Sequence, residues 1–398
     1  MTKLLVQTSP EILPNKSFEI EARLGEVAAI DLTTEHDVHL ESTRILLDQS
    51  ESLFAPELDQ QPILEISEVQ GSEGIFNVTV LDVAGVKYLF GRMVHEAAIV
   101  GEPDFGSLVM AELGPSRDIV VTTEIWSPEG QDILIEDPRA SQADDGRTVI
   151  GVTAVCKNDN YRTYPALIEL NTPDQLLAQP FPKLRIINKY GRGDQTTPIG
   201  EVAQGKNATT IDDKHFMFRP DQRNHSLQVL DYDNEDASHV GFIEFPDNIS
   251  GASYKIGTTT PPEWLNDKEA FFVFHGIEKL IDGRVVSPDT LDSRVVYRYS
   301  IHSARLMRQV DVSGRVSFAV DNISRQPIIT PDSFPRLNDG REVELHPDIR
   351  QVTYSCGGIA TKDANKQLLK LELFVNQGDK RTWLAVLAAN EIIAGWRR

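Results

Sequence analysis

The chain has 398 residues, 40% of them hydrophobic and 25% charged, ordinary globular values that exclude a disordered or fibrous protein. Its 60 acidic and 39 basic residues leave a formal charge of -21, which repels nucleic acid and anionic membranes and favours neutral partners. No run approaches the ~18 apolar residues needed to cross a bilayer.

The opening segment MTKLLVQTSPEILPNKSFEIEARLGE lacks a convincing signal-peptide pattern. Residues 1–70 mix a strand-like stretch, FEIEARLGEVAAIDL, with one that suits strand or helix, EHDVHLESTRILLDQSESL. They are expected to form a short N-terminal β extension or a ring-closing segment before a main domain at 71–398. From there, apolar runs cut by turn chemistry recur. FNVTVLDVAGVKYLFGRM (76–93) reads as a hairpin turning at Asp82 to Gly85. RTVIGVTAVCKNDNYRTYPALIEL (147–170) turns at Asn158 to Asn160. HFMFRPDQRNHSLQVLDYD (215–233), residues 270–306 and QVTYSCGGIATKDANKQLLKLELFV (351–375) complete five such units. WLAVLAANEIIAGW is expected to supply the outer strands of the last.

Units starting at Phe76, Arg147, His215, Ala270 and Gln351 are too unevenly spaced for a short-repeat solenoid and too long for WD40 blades. The fold class expected is all-β, a five-bladed β-propeller with four-stranded blades; a β-sandwich would suit the same turns. Cys156 and Cys356 lie in strand-like segments and read as two free buried thiols, which suits a cytoplasmic address. Oligomeric state is left open, with a homo-oligomer compatible.

Five short motifs could carry chemistry. In Glu136-Asp137-Pro138-Arg139 the proline favours extended geometry at Asp137, placing it at a strand entry or tight turn. Glu136 beside it would oppose its ionisation. Its ordinary reading is a turn aspartate paired with Arg139. Lys206-Asn207-Ala208, Phe218-Arg219-Pro220, Lys255-Ile256-Gly257 and His275-Gly276 each pass singly as solvated surface or core. Together they set four potential cations, Lys206, Arg219, Lys255 and His275, at strand ends of consecutive units. Such a group needs a compensating anion, and phosphate suits an arginine clamp with lysine point charges. A carboxylic acid facing that pocket would suit phosphorolysis of a glycosidic bond. No zinc-binding spacing, HExxH, GxSxG elbow or nucleotide loop is present, and no metal or organic cofactor is expected.

In order, FN…GR, EDPR, KNA, FRP, KIG…PP and FHG resemble the mannoside phosphorylases of glycoside hydrolase family 130, over roughly residues 74–280. The segment RQPIITPDSFPRLNDGREVELHP extends the resemblance to about residue 350. The resemblance implies a five-bladed propeller that performs inverting phosphorolysis of β-mannosides to α-mannose 1-phosphate. It implies Asp137 as general acid, Lys206, Arg219, Lys255 and His275 around phosphate, and Asn77 and Arg92 near the sugar. Glu136, Arg139 and Asn207, within the matching motifs, join the substrate site. The expected partners are an oligosaccharide or glycoside and inorganic phosphate as co-substrate. Three departures stand out: Phe218 in place of a histidine, the altered loop Gly257 to Pro262, and Tyr354 to Ile359 without the family's sugar-contacting aspartate. A β-mannosidase-type hydrolase on the same scaffold, with a second carboxylate such as Glu263, and a non-catalytic sugar-binding propeller remain alternatives. Trp126, Tyr190 and Trp264 could stack on sugar in any of these cases.

Overall fold

A computed structural model describes residues 74–94, 106–113, 119–126, 132–170, 204–221, 223–232, 238–324, 326–334, 351–378 and 381–396, apart from Ala84, together with short strands at 5–6, 17–19, 45–47, 51–53, 57–58, 64–65 and 184–186. The architecture is all-β, as expected from the turn-punctuated apolar runs. Five antiparallel sheets of four or more strands follow one another along the chain, and Ile45–Leu47 pairs separately with Glu51–Leu53.

The first sheet orders Gly74–Val83, Val86–Val94, Gly106–Leu113 and Ile119–Trp126, followed by Ser17–Glu19 and, at the far edge, Leu5–Val6. Next come Ile133–Gln142, Thr148–Cys156, Arg162–Leu170 and Leu184–Ile186. The third sheet is Gly205–Thr210, His215–Pro220, Ser226–Asp231 and Ser238–Glu244. The fourth is Lys255–Thr258, Glu269–Ile281, Val296–Val310 and Val316–Asp321. In the fifth, Thr353–Lys362, Leu368–Gln377 and Arg381–Leu387 are followed by Glu57–Leu58, and Leu64–Glu65 also pairs with Arg381–Leu387. Each sheet packs on the next, and the fifth returns to pack on the first.

One hydrophobic cluster fills each junction. Phe90, Met110, Ile150 and Val152 lie between the first and second sheets. Val149, Leu167, Phe216 and Phe218 lie between the second and third. Met217, Val229, Phe272 and Phe274 join the third to the fourth, and Phe271, Val273, Leu373 and Trp383 join the fourth to the fifth. Val80, Leu89, Phe374 and Leu384 close the set. Alternate residues of a strand point to opposite faces, and here both faces are covered. The unbroken run AFFVF follows from that: Phe272 and Phe274 serve one junction, Phe271 and Val273 the other.

The junctions leave no room for added atoms at Gly151, where a Cβ would lie 2.2 Å from the Ala208 carbonyl oxygen in the third sheet. Backbone there cannot step aside cheaply. Gly151→Ala should therefore cost about 1–3 kcal/mol or more, read as a lowered urea midpoint at unchanged m-value.

The expected turn at Asp82 to Gly85 is present, with the Gly85 N–H donating to Asp82 Oδ1 at 2.9 Å and Gly85 at φ +87°. Residues 157–161 make the second turn, through a short 3-10 helix and left-handed Asn160 and Tyr161. Phase is where the sequence misleads. The hairpins at 147–170, 215–233 and 270–306 are the second and third strands of their sheets. The first strands lie upstream, in ILIEDPRASQ, GKNATT and KIGT, where polar residues and Pro138 break the alternation. A second correction concerns the C-terminus. Only Arg381–Leu387 is a strand, and Ala389–Trp396 is a helix. Ala389 and Ile392 are buried and Ile393 and Trp396 pack on the same cluster, the spacing of an amphipathic helical face. Trp396 stacks on Phe271 with ring centroids 5.7 Å apart. Cys156 and Cys356 are buried thiols that form no disulfide. No helix among the described residues is long and apolar enough to cross a membrane.

Candidate functional site

The irregular first strands build the site. Asn77, Asp137 and Asn207 each adopt left-handed backbone, with φ of 51°, 56° and 62°. Each sits within a register shift of its first strand, at Phe76/Thr79, Glu136/Arg139 and Lys206/Thr209. Asparagine and aspartate tolerate this region better than most L-residues, and a bulge re-aims the side chain it carries. Asp137 is thus inside a strand, neither at its entry nor in extended geometry. One extra residue between Glu136 and Arg139, set against Thr153 to Gly151, makes a β-bulge beside Pro138 that accommodates the left-handed turn.

A second regularity lies one strand further out. Arg92 pairs with Phe76, Thr153 with Glu136, Arg219 with Lys206, His275 with Gly257 and Asn376 with Tyr354. Arg92, Thr153 and Arg219 each face the residue just before a register shift, and all five second-strand residues are directed to the following sheet. Arg92 reaches Glu136 at 3.8 Å. Thr153 Oγ1 accepts the Asn207 N–H at 2.9 Å. Arg219 lies close enough to Lys255 and His275 to disfavour positive charge on both. The His275 ring meets the Tyr354 ring edge-on at 5.1 Å. Asn376 Oδ1 accepts the Asn77 N–H at 3.3 Å, returning to the first sheet.

At the centre, Asn77 Nδ2 donates to Asp137 Oδ1 at 2.8 Å. Arg139 is fully buried and spans three sheets. It donates to the carbonyl oxygens of Asp137 at 2.7 Å and Thr259 at 3.2 Å, and to the Tyr354 hydroxyl. Arg139 therefore grips the backbone of Asp137, whereas a salt bridge to its carboxylate is the ordinary sequence expectation. Burial pushes the Tyr354 phenol well above its usual range; Arg139 opposes this, while the nearby Asp137 carboxyl adds to it. Asn207 Nδ2 donates to His275 Nε2 at 3.3 Å, and His275 Nδ1 lies 3.4 Å from Thr259 Oγ1. Gly257 permits that contact, since a Cβ would come within 2.4 Å of His275 Nε2.

The charges are unequal in character. Burial opposes ionisation of Glu136, but Lys206 at 3.4 Å and Arg92 outweigh it and hold the carboxyl below its ordinary value. Glu136 in turn raises the Lys206 ammonium. The Glu136 carboxylate thus engages two cations. Burial, with Arg219 and Arg139 nearby, drives His275 well below the imidazole range. It is a neutral hydrogen-bonding group, where the sequence suggested a fourth cation. Burial and then Arg219 lower Lys255, which also lies 5.0 Å from the Tyr254 ring. Arg219 is buried, and its Nε has no hydrogen-bond partner among the described residues.

All ten sequence-predicted positions therefore fall on the first two strands of the first four sheets. Asn77, Asp137, Arg139, Asn207 and His275 join in one polar network with Tyr354 and Thr259. Glu136, Arg92 and Lys206 form an ion-paired group beside it, and Arg219 and Lys255 complete the positive side. Glu263 stands apart, ion-paired with Lys362 at 3.2 Å, eight residues and roughly 26 Å of strand from Tyr354. Trp264 donates its indole N–H to the Ile211 carbonyl at 2.7 Å and packs in a sheet junction. The Trp126 side chain and Tyr190 lie outside the described residues. No group of His, Cys, Asp and Glu suited to a metal occurs among the described residues. Sequence reading missed Asn376, Thr153 and Thr259, which look like ordinary strand polars until the register places them.

No protein-family model matches the chain, and no curated protein does. Solved structures do. A β-1,2-mannobiose phosphorylase from Listeria innocua shares 13% identity at a TM-score of 0.52, over 85% of this chain and 96% of that one. A glycosyl hydrolase from Bacteroides ovatus gives 13% and 0.54 over 86% and 93%. A structure from glycoside hydrolase family 130, described as mannoside phosphorylases containing glycoside hydrolases that target β-1,2 mannosidic linkages in Candida mannan, gives 11% and 0.54 over 87% and 96%. The chain has the fold of these family 130 proteins.

Proposed function

We propose that this chain is a carbohydrate-active enzyme that cleaves β-mannosides, or related β-glycosides, by inverting phosphorolysis. The five sheets are read as the blades of a five-bladed propeller. Residues 71–398 are its catalytic domain, and segments within 1–70 extend the first and fifth blades. One observation carries the reading. A left-handed bulge aims the Asp137 carboxylate out of its strand, next to a group in which Arg92, Lys206, Arg219 and Lys255 outnumber Glu136.

In this mechanism Asp137, protonated, gives its proton to the glycosidic oxygen as the C1–O bond breaks. Phosphate attacks C1 from the opposite face, forming the new C1–O bond with inversion. Arg219 offers a buried guanidinium whose Nε has no hydrogen-bond partner among the described residues, and Lys206 and Lys255 add charge; arginine suits bidentate phosphate recognition. His275 contributes a neutral ring fixed by Asn207, a hydrogen-bonding wall of the pocket. Asn77, Arg92, Glu136, Arg139 and Asn207 line and hold the sugar side. Inorganic phosphate is the co-substrate, with no other cofactor, and a cytoplasmic address fits two thiols that form no disulfide.

The test is to incubate the protein with β-mannobiose, with and without phosphate, and assay α-mannose 1-phosphate. Phosphate-dependent product supports the proposal. Mannose released without phosphate would make it a hydrolase, and glycan binding without turnover a sugar-binding protein. Arg219→Met should raise KM for phosphate at least tenfold, with KM for the glycoside nearly unchanged, measured by varying each substrate separately.

A further inference from the structure

Asn376 lies in the second strand of the fifth sheet, and none of the chemistry above uses its side chain directly. It is fully buried. Its Oδ1 accepts two hydrogen bonds, from the Asn77 N–H at 3.3 Å and from Thr382 Oγ1 at 2.8 Å. Asn77 is the left-handed residue whose side-chain amide donates to Asp137. An unbroken chain of hydrogen bonds therefore runs from Thr382 through Asn376 and Asn77 to the carboxylate.

We infer that Asn376 is a positioning residue for Asp137, acting through the Asn77 backbone. The physical reason lies in the bulge. A residue within a register shift is left without its ladder partner, and a buried N–H without an acceptor is costly. At Asn207 the same need is met by Thr153, on the second strand of the second sheet. Two bulges thus receive the same service from the second strand of the preceding sheet, by an asparagine in one case and a threonine in the other. Without the acceptor at 376, Asn77 loses the constraint that keeps its Nδ2 on Asp137 Oδ1. A carboxylate allowed to swing is out of line for proton transfer, and small misplacements of that kind cost large factors in rate.

This inference deepens the phosphorolysis reading and rests on it for its kinetic test; an exchange measurement separates the two. Asn376→Val removes the acceptor, whereas Asn376→Thr restores one, as Thr153 does at Asn207. The valine variant should lose 10- to 100-fold in kcat with KM for β-mannobiose within about twofold, and threonine should recover most of that loss. Amide hydrogen exchange at Asn77 should quicken in the valine variant and return towards wild type in the threonine variant. If the valine variant does not fold, Thr382→Val, which removes the other donor on the same oxygen, should show the same split at smaller size. Unchanged kcat in Asn376→Val, a loss residing in KM, or a threonine variant as impaired as valine would overturn the assignment. If the wild type turns over no glycoside, the functional proposal falls, and exchange at Asn77 alone decides whether Asn376 anchors it: unchanged exchange in the valine variant would refute the anchor.

Discussion

Asp137→Asn should abolish turnover while leaving the fold intact. Amide and carboxyl are nearly the same size, so the bulge, the Arg139 contact to the residue 137 carbonyl and the sheet register should survive. The variant has no acid proton to deliver. General acid catalysis is worth about 10²–10⁴ in rate, so kcat should fall by at least two to four orders of magnitude with KM little changed. The informative comparison uses two substrates. A glycoside with a good leaving group, such as a nitrophenyl sugar, needs little protonation and should recover much of the loss; mannobiose should not. Equal impairment on both would remove Asp137 from the role of acid, and normal turnover would remove it from the site.

Arg139→Leu should have the largest effect on stability. This guanidinium is fully buried and ties the second sheet to the Thr259 carbonyl of the fourth and the Tyr354 hydroxyl of the fifth. Leucine fills part of the volume but leaves two buried carbonyls and a phenol short of a donor. Each such orphan costs about 1–3 kcal/mol, and breaking buried charged networks typically costs about 3–5 kcal/mol. A fall of that size in urea unfolding free energy is expected. Tyr354→Phe, which removes one of the three contacts, should lose only about 1–2 kcal/mol. A leucine variant as stable as wild type would show that the sheets do not depend on this tie.

Those two residues also show what the sequence could disclose. Asp137 stood out as a candidate because EDPR fell in an ordered set of motifs resembling a known family, and the chemistry of its neighbours suggested an anion pocket. Its backbone was misjudged, because a left-handed residue within a register slip has no signature beyond an aspartate followed by proline. Hairpins were legible wherever apolar alternation and turn residues coincided, as at Asp82 to Gly85. First strands were not, because bulges and polar side chains destroy the period, and those strands hold the site. The phase error and the chemistry have the same cause. Ala389–Trp396 was readable in principle from apolar residues at i, i+3, i+4 and i+7 (Ala389, Ile392, Ile393 and Trp396), but eight residues beside a real strand look like its continuation. His275 shows a different limit. The structure keeps it beside Arg219 but disfavours its charge, because ionisation depends on Arg219, Arg139 and burial, which only three dimensions supply. Asn376 had no signal at all, since one asparagine closing an apolar strand is commonplace.

Arg92, Thr153, Arg219, His275 and Asn376 all stand on second strands and reach towards the sheet that follows. Socket and occupant are separable: the scaffold fixes where a side chain lands, and the occupant alone decides whether it brings charge, a ring or a bare acceptor. Exchanging an occupant therefore changes the chemistry offered to the neighbouring sheet without remodelling any loop. The same separation makes the inner strands poor places to look for tolerance, because there the main chain itself is the tool.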